Sequence, residues 1–352
     1  MKPLLSLTPA GLYCPAGDFH IDPWQPVPRA VITHAHGDHA RTGSEAYLAA
    51  APGLPLLRAR LGDEAHIETV AYGESRAIGG VDVSLHPAGH VLGSAQVRIE
   101  AAGEVWVVSG DYKLAADPTC AGFTPLRCHT FVTESTFGLP IYRWDSPEVL
   151  VAGIRDWWSE NQRAGRASVL LVYALGKAQR VLASLSAAAD DLPGPIWCHG
   201  AVARVNDAYL AAGVSLPATR RVAEAPSGTR FDQALVLAPP SAQGSTWMRR
   251  FGPLSLAFAS GWMLIRGTRR RANYDRGFAL SDHADWPALN TAIDASGAEH
   301  VWVTHGYGDE LAQWLNEHGR RAIAVETRFV GETLVAEVDV AAAEDVSASE
   351  EA

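Results

Sequence analysis

Short runs of β-branched and aromatic residues, each closed by glycine, proline or polar positions, recur through the first 140 residues. Residues 29–33, 81–85, 104–109 and 130–133 are the clearest, and each predicts a buried strand. The polar turns after these runs carry histidine and aspartate, where a rigid sheet presents functional loops. From residue 146 the period changes. Ser146, Pro147 and Glu148 read as the N-cap and first turn of a helix over 146–162. A strand at 167–173, a helix at 177–189 and strands near 195–198 and 234–238 follow. Such alternation predicts a parallel α/β unit. After residue 277 the turns bearing His and Asp return. The pattern predicts a discontinuous domain, 1–140 and 278–338, interrupted by an inserted domain at 141–277. Residues 340–352 hold four acids and no base among small residues, so the tail from 339 to 352 is expected to be disordered.

Composition adds bounds. Of 352 residues, 47% are hydrophobic and 19% charged, enough for a large core. No run of apolar residues is long enough for a membrane helix, and the N-terminus lacks the apolar core of a secretion signal. Four cysteines without a C-x-x-C pair fit reduced, buried thiols. A cytoplasmic location without membrane contact is expected. The net charge of −10 counts against a polyanionic partner until it is divided. Residues 141–276 hold 17 Lys/Arg and 10 Asp/Glu, a balance of +7, leaving −17 elsewhere. Local potential decides where nucleic acid binds.

The sharpest chemical signal is Thr33-His34-Ala35-His36-Gly37-Asp38-His39, directly after an apolar strand. Imidazole and carboxylate donors suit zinc or manganese. His34 and His36 can face one ion while Asp38 and His39 turn toward another. His90 in Pro87-Ala-Gly-His90, Asp111 after Val107-Val-Ser-Gly and His305 after Val301-Trp-Val-Thr add strand-end donors.

In this pattern the chain resembles the metallo-β-lactamase superfamily and, within it, the β-CASP nucleic-acid nucleases, over residues 1 to about 335. The resemblance implies an αββα sandwich with an inserted β-CASP α/β domain and two divalent metal ions, zinc or manganese. It implies that His34, His36 and His90 hold one ion, that Asp38, His39 and His305 hold the other, and that Asp111 bridges them. Asp22 in His20-Ile-Asp-Pro23 matches an aspartate that orients the ligand loop. Glu134 in Thr133-Glu-Ser-Thr136 and His283 in Ser281-Asp-His-Ala-Asp285 match the group's own acid and histidine.

The likeness extends to bacterial DNA-ligase-associated exonucleases through Gly11-Leu-Tyr-Cys-Pro-Ala-Gly-Asp18, Ser260-Gly-Trp-Met263 and Leu280-Ser-Asp-His-Ala-Asp-Trp286. It implies a DNA exonuclease, 5′ to 3′ and single-strand preferring, linked in repair to an ATP-dependent DNA ligase and a helicase. Catalysis would fall to Asp38, Asp111, Glu134 and His283, with His283 as general acid. Substrate contacts would come from Ser260, Gly261, Ser281 and the run Arg266, Arg269, Arg270, Arg271. Trp262, Tyr274 and Trp286 are aromatic candidates for stacking bases, but core packing is the favoured role for each. His305 departs from the DNA-specific Artemis type and is shared with RNA-cleaving members. An RNA-processing nuclease of the RNase J or 3′-end-processing type is therefore the alternative. A vestigial binding module is disfavoured by the complete donor set, and a glyoxalase or lactonase by the basic insertion.

Overall fold

The computed structural model describes residues 3–187, 192–265 and 273–328. They form two compact units, one from residues 3–143 and 282–328, the other from 144–187, 192–265 and 273–281. Both are mixed α/β.

In the first unit, β1 (Ser6–Thr8), β2 (Gly11–Cys14), β3 (Phe19–Ile21), β4 (Arg29–Val31), β5 (Ala46–Ala50) and β6 (Ile67–Val70) form one sheet in chain order. Helix α1 (Leu54–Leu61) lies between β5 and β6 in the chain. The second sheet begins with β7 (Ser75–Ile78), β8 (Val81–Pro87), β9 (Ala95–Ala101) and β10 (Glu104–Val108), all antiparallel. It continues in parallel through β11 (Thr130–Ser135) to two strands from the end of the chain, β18 (His300–Gly306) and β19 (Arg321–Ala324).

Alternation decides what each strand buries. Trp106 and Val108 of β10 join the core between the two sheets, with Val31, Leu48, Val83 and Val97. Val107, between them, faces the opposite way and packs with Leu289, Ile293, Leu311 and Leu315. Those residues belong to helices α5 (Trp286–Ser296) and α6 (Gly308–Glu317). Strand β11 is buried at all six positions, as expected of an inner parallel strand covered on both faces.

The second unit is one parallel sheet, ordered β14-β13-β15-β12-β16-β17. Its strands are β12 (Ala167–Leu171), β13 (Ile196–Cys198), β14 (Thr219–Arg221), β15 (Leu235–Ala238), β16 (Leu254–Ala259) and β17 (Arg276–Phe278). Helices α2 (Pro147–Arg163), α3 (Lys177–Ala187) and α4 (Gly200–Ala211) cover one face through Ile154, Trp158, Leu182 and Val202. Ser146 takes the N-cap position of α2 with extended backbone, but its side chain makes no capping bond to the helix backbone. The reading from sequence contains no helix at α4, whose apolar positions are mostly alanine and valine and give a weak stripe. All four cysteines are reduced, and Cys14, Cys128 and Cys198 are buried.

Candidate metal centre

Everything in this centre belongs to the first unit. The segment Thr33–His39 leaves the end of β4, and Asp111 follows β10. Glu134 lies near the end of β11, and His305 near the end of the neighbouring β18. Ser135 ties those two strand ends together, its hydroxyl donating to the carbonyls of Thr304 and His305. Gly306 can follow because it adopts a φ of 78°; a Cβ there would run into the Ser135 carbonyl.

Three donor groups share Asp111: His34, His36, His90 and Asp111; His39, Asp111 and His305; and Asp111, Glu134 and His283. In the first, His36 Nδ1 is 3.0 Å from His34 Nε2 and 3.1 Å from His90 Nε2. Asp111 Oδ2 is 3.5 Å from His34 Nε2 and 3.7 Å from His90 Nε2. A tetrahedral ion with bonds of about 2.0–2.1 Å sets its donors roughly 3.3 Å apart, so this set fits one. In the second group, His39 Nε2 lies 3.5 Å from Asp111 Oδ2 and 3.7 Å from Asp38 Oδ2. His305 Nε2 is 3.1 Å from Asp111 Oδ1. Asp111 thus faces both groups, with Oδ2 beside His34, His90 and His39 and Oδ1 beside His305.

The ligand rings are held from behind. Thr33 Oγ1 is 3.0 Å from His34 Nδ1, and Thr304 Oγ1 is 3.2 Å from His305 Nδ1. The Asp282 carbonyl is 3.0 Å from His90 Nδ1. Asp22 accepts from the Thr33 amide and hydroxyl and pairs with His39 Nδ1 at 2.8 Å. It does so from a left-handed backbone, φ 44°, uncommon for a non-glycine residue. Such supporting bonds fix ring orientation and raise donor basicity. Thr33, Thr304 and the Asp282 carbonyl are missing from the reading of the sequence. The repeated Thr-His pair at 33–34 and 304–305 is a signal for the first two; a backbone carbonyl leaves none.

Burial, followed by the neighbouring His39, holds His34 well below the usual imidazole value. Burial, then His283 and His36, does the same to His90. For Asp111 burial opposes ionisation, but His39 and His283 outweigh it and keep the carboxyl well below its usual range. His39 goes the other way: burial disfavours its charge, yet Asp111 and Asp38 raise its value well above the ordinary one. A cation would supplant that proton. Neutral imidazoles around ionised carboxylates are the form in which such groups bind metal.

His283 is tethered differently. Its Nδ1 is 2.8 Å from Glu134 Oε2, while Glu134 Oε1 accepts from the Tyr112 amide at 2.7 Å. His283 Nδ1 is also 3.9 Å from Asp111 Oδ2.

In the second unit Ser260 is fully buried, and its hydroxyl accepts from the Trp262 amide. Gly261 is buried beside it, and the Ser281 carbonyl accepts from Arg180 at 2.6 Å. Arg266, Arg269, Arg270 and Arg271 lie outside the described residues. Trp286 is a core residue packed on Trp314, 5.0 Å between ring centroids, while Trp262 and Tyr274 are half-buried.

No family model matches the chain. It is 33% identical over 328 residues to a "Probable DNA ligase" of Opitutus terrae, covering 90% of this chain and 30% of that protein. It is 36% identical over 136 residues to "Endoribonuclease YSH1" of Saccharomyces cerevisiae, 36% of this chain and 17% of the relative. To "Cleavage and polyadenylation specificity factor 73" of Drosophila melanogaster it is 34% identical over 120 residues, 33% and 17% of the two chains. The chain thus spans under a third of the length of each. Among solved structures, a protein of unknown function from Enterococcus faecalis V583 shares the fold, with a TM-score of 0.53 and 12% identity over 84% of this chain and 78% of that one.

Proposed function

From its likeness to these relatives we propose that the chain belongs to the β-CASP group of the metallo-β-lactamase fold and hydrolyses phosphodiester bonds in nucleic acid, as a DNA exonuclease. The observation that carries this reading is the sharing of Asp111 by three donor groups, two suited to cations and one formed by the Glu134–His283 pair. His34, His36 and His90 would hold one cation, Asp38, His39 and His305 the other, with Asp111 between. Zinc or manganese bound there would supply water activation and neutralise charge gathering on phosphorus.

The protein's own residues do the rest. Asp22, Thr33, Thr304 and the Asp282 carbonyl orient the donors before substrate arrives. Glu134 fixes one ring nitrogen of His283 and leaves Nε2 for the leaving 3′-oxygen, which needs a proton. Ser260, Gly261, Ser281 and the arginines at 266, 269, 270 and 271 are the proposed phosphate contacts.

The match covering 90% of the chain, to a protein called a probable DNA ligase, supports DNA as substrate. A role in repair beside an ATP-dependent ligase and a helicase is part of the same proposal. A 5′ start on single strands in the cytoplasm completes the reading. RNA processing is the second reading, favoured by His305 and by matches to endoribonucleases over about a third of the chain. End-labelled DNA and RNA of matched sequence, with manganese or zinc, separate the two. Short products should appear first from the 5′ label of DNA. Early loss of the 3′ label, cutting of circular single strands, or faster RNA cleavage would overturn the exonuclease reading.

A further inference from the structure

The two faces of the second unit's sheet are covered differently. Helices cover one. The other lies under short 3-10 turns and a row of aromatic rings. Trp197 meets Phe231 at 5.3 Å, Phe231 meets Phe251 at 5.0 Å, Phe251 meets Trp247 at 4.7 Å and Trp247 meets His199 at 4.9 Å, every pair edge to face. Trp247 is only half-buried.

At one end of this row runs β14, the edge strand. Arg220 stands opposite Trp197 in the register, is exposed, and holds its guanidinium 5.5 Å from the Trp197 ring centre. Arg250 comes from the turn Thr246–Phe251, and its Nη1 donates to the carbonyl of Val222, two residues beyond Arg220. Arg249 is its neighbour in the chain, and both are exposed. Nearby arginines are neutralised: Arg221 by Asp207 and Glu224, Arg230 by Asp232. Among the described residues no carboxylate lies within ion-pair distance of Arg220, Arg249 or Arg250.

We infer that Arg220, Arg249, Arg250 and the adjoining Trp247 form an additional binding surface for single-stranded nucleic acid, made entirely of second-unit residues. This rests on the nuclease reading above and adds a place where the strand is held without being cut. Guanidinium groups not neutralised by carboxylates bind phosphates with release of counterions, independent of sequence. An indole beside them offers a face to any base. Trp197 keeps the Arg220 guanidinium in place by a cation–π contact, so less freedom is lost on binding.

The test uses the full chain with Arg220→Gln, Arg249→Gln and Arg250→Gln combined. Binding of a long labelled phosphorothioate oligodeoxythymidylate, which resists hydrolysis, is followed by anisotropy with the metal-loaded protein across a salt series. Three lost phosphate contacts should reduce the slope of log affinity against log salt by about two. The corresponding triple lysine variant should retain the slope, and hydrolysis of a nitrophenyl phosphodiester should be unchanged in both. An unaltered slope in the glutamine variant overturns the inference while leaving the nuclease reading intact. If the unmodified chain neither binds nor cuts nucleic acid, the nuclease reading itself fails. If the glutamine variant loses its circular dichroism signature, Arg249→Gln alone is measured; among the described residues its side chain makes no hydrogen bond or ion pair, and its slope change should be about 0.7.

Discussion

Asp111 presents Oδ2 to His34 and His39 and Oδ1 to His305, so on the proposed assignment a single carboxylate would set the spacing of both cation sites. Asp111→Ala is expected to lower metal content from about two equivalents, read by elemental analysis, and to abolish hydrolysis with it. A fully active, fully loaded variant would remove the bridge. His283 makes a different prediction because its Nδ1 pairs with Glu134 at 2.8 Å. His283→Ala should keep both metals and lose about 10²–10⁴ in rate on nucleic acid. A nitrophenyl ester needs little help in leaving and should be cleaved nearly as well as by the unmodified chain. Equal loss on both substrates would make His283 a phosphate-positioning group, and loss of metal would make it a ligand. The donors were legible in sequence because chemistry confines such clusters to turns after apolar strands. Their supports were less so: a threonine hydroxyl looks ordinary until a ring nitrogen is beside it, and the Asp282 carbonyl is invisible in any residue pattern.

Elements carry the precision of the centre. Helix α5 starts three residues after His283, where Asp285 as N-cap accepts from the Ala288 amide at 3.0 Å and Gly297 closes the far end in a left-handed turn. Asp285→Ala should cost about 0.5–2 kcal/mol in urea unfolding and also lower activity, since fraying reaches His283. An activity change without a stability change would assign Asp285 another role. The strands at 104–109 and 130–133 were readable from their β-branched runs, and the structure has them as β10 and β11. Strands β1 and β3 have only three residues each, too short for a period to register, and their pairing rather than their composition makes them strands. α4 escaped for the related reason that alanine marks a helix face weakly.

At the scale of the whole molecule, a net charge of −10 coexists with a segment of +7, and division by region shows what the total conceals. The return of site residues after the insertion was also visible in sequence, because turns bearing His and Asp resume there. Which strands they join was not, since β18 pairs with β11 across more than 160 positions. Buried donors gathered this closely should make the fold depend on its cations. Chelation should lower the thermal midpoint, and manganese or zinc should restore it, by as much as about 4 kcal/mol at a thousandfold excess over the dissociation constant. A midpoint indifferent to chelator would mean that the ions contribute nothing to holding the fold. The split of the first unit also has a consequence in time. His34, His36, His90 and Asp111 leave the ribosome early, whereas His283 and His305 follow the 138 residues from Trp144 to Ser281. At about 5–20 residues per second that interval lasts roughly 7–28 s. Throughout it the nascent chain lacks His283, the proposed proton donor, and His305. On the function proposed above, a product broken off before residue 282 would lack both residues and should not hydrolyse nucleic acid.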